Sequence, residues 1–300
     1  MTTPEPLSPT SSSLAEGRLR VGLAAGGGLR WAVADLTDIV ETARERLDLS
    51  PVAAAALGRS MAGAALLLRL AAKVPTRLVM EVRGDGPIRR VLGEADAAGN
   101  LRGMVGERRV DVPHRADGKL AVGAAVGSGH LRVHREHPGG SYASQVELVS
   151  GEIGEDVAHY LAQSEQTRSA VLLGVLGRPS GVAAAGGLIV EVLPGAEESA
   201  IGRLEANLAG IAGVSHLVEE GGVDQVLGTV LAGLGPALAE ERTLFYRCRC
   251  ERDRLRRHLE RLSADDLDSL REDAGTLEAE CAFCGEIYRF DRHELTAYTG

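Results

Sequence analysis

Four cysteines, all after residue 247 of a 300-residue chain, constrain this sequence more than any other feature. They come as Cys248-Arg249-Cys250, then thirty residues, then Cys281-Ala282-Phe283-Cys284-Gly285. Four thiolates satisfy the tetrahedral preference of Zn²⁺, with bonds of about 2.3 Å, so the pattern predicts one zinc ion held by Cys248, Cys250, Cys281 and Cys284. The second pair reads as a metal knuckle. Its CxxC turn lets both sulfurs face one ion, and Gly285 can adopt the positive φ that aims backbone N–H groups at sulfur. The first pair is tighter than the CxxC of ordinary zinc ribbons, and an intrapair disulfide competes with metal there.

Two readings of this cluster stay open on residues alone. One is a purely structural zinc module in a regulatory or nucleic-acid-associated protein. The other is a reactive site, because Arg247, Arg249 and Arg252 crowd the first pair with positive charge that favours thiolate and hence oxidation. The same arginines would also offset the −2 charge of a zinc tetrathiolate. A thiol oxidoreductase using Cys281 and Cys284 is a third possibility, lowered by the absence of a thioredoxin-like βαβ pattern around that pair.

The compartment bears on the choice. Residues 1–16 lack the basic start and apolar run of a signal peptide and read as a disordered tail. The most apolar stretch, Val52 to Ala72, carries Arg59 and Arg69, which a membrane span would avoid, so it predicts a buried core helix and no membrane association. A cytoplasmic setting follows, where thiols stay reduced and four cysteines point to metal or redox chemistry before structural disulfides. The net charge of −9 argues against a nucleic-acid partner. With only 3% aromatic residues, the core must be built from Leu, Val, Ile and Ala.

Composition divides the chain into three further parts. Residues 17–194 read as an α+β domain. Strand patterns occur at Arg18 to Ala24, Leu29 to Ala34, Thr76 to Arg83, Ile88 to Ala95, Leu120 to Val126, Leu131 to Glu136, Ser144 to Val149, Ala170 to Leu176 and Gly187 to Leu193. Gly26-Gly27-Gly28 reads as a hairpin turn, Thr37 as a helix cap, and Ser50-Pro51 as the opening of the long Ala/Leu helix. A further helix is expected from Glu155 to Gln163. Residues 195–247 form a helical linker with apolar residues at helical spacing, among them Ile201, Leu204, Leu208, Val226, Val230 and Leu234. Nine glycines between Gly195 and Gly235 weaken it, since each interior Gly costs about 1 kcal/mol relative to Ala. Such helices persist only while docked. Residues 248–300 form a small module holding the cysteines, with Leu255, Leu259 and Leu262 on one helix face and a capping box at Ser263 and Asp266.

Nothing else asks for a catalytic site. His130 and His134 alternate with Leu131 and Val133 on what reads as the solvent face of a strand, and His137 follows them. The triple glycine lacks the spacing and Lys of a phosphate loop. Glu94 and Asp96 lie beside a turn with no paired partner. The prediction is therefore a non-enzyme.

Tyr246-Arg247-Cys248-Arg249-Cys250, together with Cys281-Ala282-Phe283-Cys284-Gly285 and Tyr288-Arg289-Phe290, resembles the redox-switch region of the heat-shock protein 33 family. Upstream, Gly84-Asp85-Gly86-Pro87-Ile88 with Glu94-Ala95-Asp96, Gln163-Ser164-Glu165-Gln166, Ala185-Gly186-Gly187-Leu188 and Leu193-Pro194-Gly195-Ala196 extend the likeness over roughly residues 17–298. Glu251 departs from the Ser that often follows the first pair, at a position that is no ligand. The resemblance implies an α+β substrate-binding domain, a linker that changes state and a zinc-holding C-terminal domain. It implies a zinc-bound, inactive, monomeric reduced state. Oxidation would release zinc, pair Cys248 with Cys250 and Cys281 with Cys284, unfold switch and linker, and yield a homodimer that holds unfolding client proteins without ATP.

Overall fold

Ser50-Pro51 opens a helix as the sequence predicts: Pro51 takes the first helical position of α2 (Pro51–Leu70), where its missing N–H costs nothing. The Ser50 hydroxyl is not the cap; it accepts the N–H of Val110 at 3.2 Å. The computed structural model describes residues 14–71, 73–115, 118–263, 266–267, 276–291 and 294–295, and α2 lies at its centre. Only Pro51, Arg59 and Arg69 on this helix escape full burial. Arg59 pairs with Glu152 at 2.6 Å, and Arg69 pairs with Glu240. The helix is long and apolar enough to cross a membrane, yet 89% of its apolar window is buried inside the protein, as expected of a core helix.

A ten-stranded sheet wraps around α2. Its strands are β1 (Glu16–Ala24), β2 (Leu29–Asp35), β3 (Arg77–Gly84), β4 (Arg90–Asp96), β5 (Asn100–Val105), β6 (Gly129–His137), β7 (Gly140–Glu147), β8 (Ser169–Arg178), β9 (Gly181–Val192) and β10 (Ala237–Tyr246). Their order is β7-β6-β3-β4-β5-β10-β1-β2-β9-β8. All neighbours pair antiparallel except β5 and β10, which are parallel. Helix α1 (Thr37–Leu47) packs beside α2 on the same face. Helix α4 (Gly154–Ser164) touches both edge strands, β7 and β8. A Cβ on Gly93 of β4 would stand 2.4 Å from the Ser60 carbonyl, so α2 lies this close to the sheet only because residue 93 has no side chain.

The sheet's other face carries α5 (Glu198–Ala209) and α6 (Val214–Val230). Leu204, Val218, Val226 and Val230 pack there on Trp31, Leu188 and Val190. Each Val or Leu buried in this way contributes roughly 1.5–3 kcal/mol, which offsets the helical cost of the glycines. Helix α6 is interrupted at Gly221 and Gly222, the latter at φ +63.

Several elements differ from the sequence reading. Leu120 to Val126 is not a strand: residues Val122–Val126 form a short helix, α3, burying Val122, Ala125 and Val126 at i, i+3 and i+4. Strand β5 carried no recognised signal. The helical pattern expected over 195–247 ends at Val230, and Ala237–Tyr246 is instead a strand between β1 and β5. Thr37 is the first helical residue rather than the cap. The Asp35 carboxylate accepts its N–H at 3.1 Å and its hydroxyl at 2.7 Å. The tail expected over 1–16 lies outside the described residues up to residue 13, and Glu16 already belongs to β1.

The C-terminal module contains α7 (Arg252–Leu259) and a hairpin of β11 (Thr276–Glu280) and β12 (Ile287–Asp291). Its core is small: Leu267, Leu277, Phe290 and Leu295, with Leu255, Leu259 and Leu262 packed against them. The Ser263 hydroxyl accepts the Asp266 N–H at 3.1 Å, as the expected cap requires; the helix expected beyond Leu267 lies outside the described residues.

Candidate metal centre

The first cysteine pair follows directly on β10, and the second lies in the turn between β11 and β12. That turn is closed by its own backbone. Cys281 donates to the Glu286 carbonyl at 2.8 Å, while Cys284 and Gly285 donate to the Cys281 carbonyl at 3.2 and 2.8 Å. Gly285 has φ +72, as the knuckle demands, but its N–H serves the Cys281 carbonyl. A Cβ there would stand 2.3 Å from the carbonyl oxygen of Arg46, so the turn also sits tightly against the last turn of α1.

All four sulfurs lie within 4.8 Å of one another. Cys248 Sγ is 3.6 Å from Cys281 Sγ, and Cys250 Sγ is 3.4 Å from Cys284 Sγ. A tetrahedral ion with bonds of about 2.3 Å separates its sulfurs by about 3.8 Å, so the four thiols fit zinc with little adjustment. All four cysteines are free of disulfides. Hydrogen bonds from the Cys281 and Cys284 thiols hold Cys248 well below the usual thiol range. Burial first, then the Cys248 charge, pushes Cys250 up to about 11, and Cys284 is also raised by its bonds with Cys248 and Cys281. The cluster thus concentrates negative charge on Cys248, and a cation at its centre is what would let the neighbouring thiols ionise as well. Tyr288 adds a hydroxyl 3.2 Å from Cys250 Sγ.

The arginines nearest in sequence are not those nearest the sulfurs. Arg249 turns away to pair with Glu94. Arg252 reaches Glu294 at 2.9 Å and the Arg289 carbonyl at 2.8 Å, over the ring of Phe290. The guanidinium that reaches sulfur is Arg102 of β5. Its Nη1 is 3.9 Å from Cys248 Sγ, its Nη2 is 2.9 Å from Glu94, and its Cζ lies 4.2 Å from the Phe283 ring centroid. Sequence reasoning missed Arg102 and left Glu94 without a partner. The one available signal was a carboxylate inside the apolar run Val91-Leu92-Gly93-Glu94-Ala95, because a buried acid needs a cation.

The remaining candidates behave as the residues suggested. His130 and His134 lie on the face of β6 opposite buried Leu131 and Val133. Ala25, Gly26 and Gly27 all have positive φ in the tight β1–β2 turn. Asp96 accepts the N–H groups of Ala98 and Asn100, both at 3.0 Å, which makes it a turn residue. Among the described residues, the four cysteines are the only grouping able to hold a metal ion.

The family profile described as Hsp33 protein matches residues 18–291. The chain belongs to the Hsp33 family. It is 48% identical over 291 residues to the 33 kDa chaperonin of Thermus thermophilus, covering 93% of this chain and 85% of that protein. It is 44% identical over 276 residues to the 33 kDa chaperonin of Symbiobacterium thermophilum, covering 91% and 94% respectively. The crystal structure of the 33 kDa chaperonin (heat shock protein 33 homologue) of Thermotoga maritima superposes with a TM-score of 0.83 at 33% identity, covering 92% of this chain and 95% of that one. Hsp33 is a chaperone family, and membership sets this chain among chaperones. Four thiols this close suit both zinc and redox chemistry.

Proposed function

We propose that this Hsp33 chain is a redox-regulated, ATP-independent holdase of the cytoplasm, switched by its four cysteines. The observation that carries the reading is the meeting of four sulfurs within 4.8 Å, drawn from two segments thirty residues apart, at the end of a strand that continues from glycine-weakened docked helices. When bound, Zn²⁺ would hold Cys248, Cys250, Cys281 and Cys284 as thiolates and tie the two segments together, with a contribution of about 10–16 kcal/mol in modules of this kind. In the reduced monomer Arg102 and Tyr288 orient Cys248 and Cys250.

On oxidation, the two thiolates of each pair would give two electrons to one molecule of a peroxide-class oxidant, which takes up two protons from solvent and leaves as water, so that Cys248–Cys250 and Cys281–Cys284 form and Zn²⁺ is released to solvent. Residues 248–300 then rely on a core of a few side chains, too little to stay folded alone. Helices α5 and α6, which precede β10, lose their anchor and undock, and Leu204, Val226, Val230 and Trp31 become accessible. An apolar surface of that kind is an interaction surface for unfolding client proteins and for a second copy, so the oxidised form is a homodimer. Residues 17–194 supply the substrate-binding domain. The test is zinc content, oligomeric state and suppression of client aggregation on one preparation, before and after peroxide. Zinc that survives oxidation would instead mark a structural module, and disulfide exchange on small thiols would mark an oxidoreductase.

A further inference from the structure

Glu94 sits on the outer side of β4, only 5% exposed, with three guanidinium groups around one carboxylate. Arg102 meets it at 2.9 Å, Arg77 approaches to 3.9 Å while also pairing with Glu136 at 2.7 Å, and Arg249 pairs with it directly. Arg77 and Arg102 belong to the sheet, whereas Arg249 stands between the first two cysteines. Glu94 is therefore shared between the domain and the module. Arg102 makes the same bridge a second time, through the Phe283 ring at 4.2 Å and Cys248 Sγ at 3.9 Å.

We propose that Glu94 and Arg102 form a latch that holds the reduced cysteine module on the outer face of β4 and β5 and thereby sets how readily the site is oxidised. The proposal rests on the redox-switch reading and adds positioning residues to it. The balance of charge gives the direction. With Glu94 ionised, one carboxylate neutralises guanidinium groups from both sides of the contact. Without that charge, Arg102 and Arg249 face each other as like charges in a half-buried site, and the segment carrying Cys248 and Cys250 is pushed off the sheet. An N–H donor that points at Cys248 sulfur also draws electron density from it and lowers its nucleophilicity towards an oxidant. Both effects make the latched module the slower one to oxidise. The opposite sign is expected if the arginines act as thiolate activators, the role that their charge alone would suggest.

The test compares full-length, reduced, zinc-loaded parent with Glu94→Gln, Glu94→Asp and Arg249→Gln. Arg249 is 40% exposed, so its replacement leaves the core of the sheet domain undisturbed and gives a variant that folds even if Glu94→Gln does not. Two quantities are read: backbone hydrogen exchange in the Cys281–Glu286 turn without oxidant, and the rate of zinc release after hydrogen peroxide. The latch predicts that Glu94→Gln and Arg249→Gln raise both by roughly tenfold, the size expected for losing a charged hydrogen bond. Glu94→Asp, which keeps the charge, should restore much of the parent behaviour; a merely structural role for the side chain would not give that rescue. Exchange and release that are unchanged, or slower than in the parent, overturn the latch. If the parent itself keeps its zinc under peroxide, the redox-switch reading fails, while the exchange measurement still decides whether the latch exists.

Discussion

The hydroxyl of Tyr246, the last residue of β10, donates to the backbone carbonyl of Phe283 at 2.6 Å. One end of this bond belongs to the ten-stranded sheet and the other to the turn that carries Cys281 and Cys284. Tyr246 is buried, and its hydroxyl is pushed well above the ordinary tyrosine range, by burial first and then by the negative charge of the cysteines. It stays a donor at any physiological pH. The cysteine module is thus fastened to the domain by groups other than the four cysteines.

Tyr246→Phe keeps the ring and removes this bond, leaving the Phe283 carbonyl without its donor. The expected cost is about 1 kcal/mol of docking free energy. Peroxide titration should show half-maximal zinc release at a lower oxidant dose, with the thermal midpoint of the sheet domain shifted by only a few degrees.

Gly285→Ala meets two obstacles at once, a φ of +72 and a carbonyl oxygen 2.3 Å from the new Cβ. A strained left-handed residue alone costs about 1–3 kcal/mol. Chelator competition on the reduced protein should show zinc affinity reduced at least tenfold, with the circular dichroism of the sheet domain retained.

Acid should strip the metal steeply. Cys250 is raised to about 11 and Cys284 is raised as well, so both start protonated at neutral pH, while Cys248 is lowered and starts ionised. Zinc uptake must then release at least two protons, and affinity should fall by at least ~100-fold per pH unit on acidification. For Cys248 the sign is the same: a lowered folded value contributes stability at neutral pH that disappears as pH falls through it. Calorimetry in buffers of different ionisation enthalpy counts the protons.

The grouping of the four cysteines was legible because they come as local pairs with chemistry of their own, and α2 because Ser50-Pro51 marks its start. Strand β10 was not legible. Glu240, Glu241 and Arg242 interrupt any alternation, since most of the strand is exposed and only Leu244 and Tyr246 are fully buried. Residues 122–126 form a helix where an apolar run of that length fits either structure. Arg102 and Glu94 lie 146 and 155 positions from the residues they hold, and no local pattern encodes such a contact.

Linker stability should set the activation threshold. Gly202 lies within α5, Gly210 caps it in ordinary helical conformation, and a methyl group at either meets nothing within 4 Å. Gly202→Ala with Gly210→Ala should stabilise the docked helices by up to about 1–2 kcal/mol. The double variant should show higher helicity when reduced and lose zinc normally on oxidation, yet suppress aggregation less well than the parent. Unchanged suppression would mean that undocking of α5 and α6 does not control client binding.

The most direct test of the redox switch follows zinc release and client protection together, in one sample, through a full cycle of peroxide and reductant. The account predicts one zinc per chain in the reduced protein, little protection of a thermally unfolding client, and protection that rises in step with zinc release without ATP. Reductant with added zinc should reverse both. Protection already complete in the reduced, zinc-loaded protein, or zinc that leaves without any gain in protection, would contradict it.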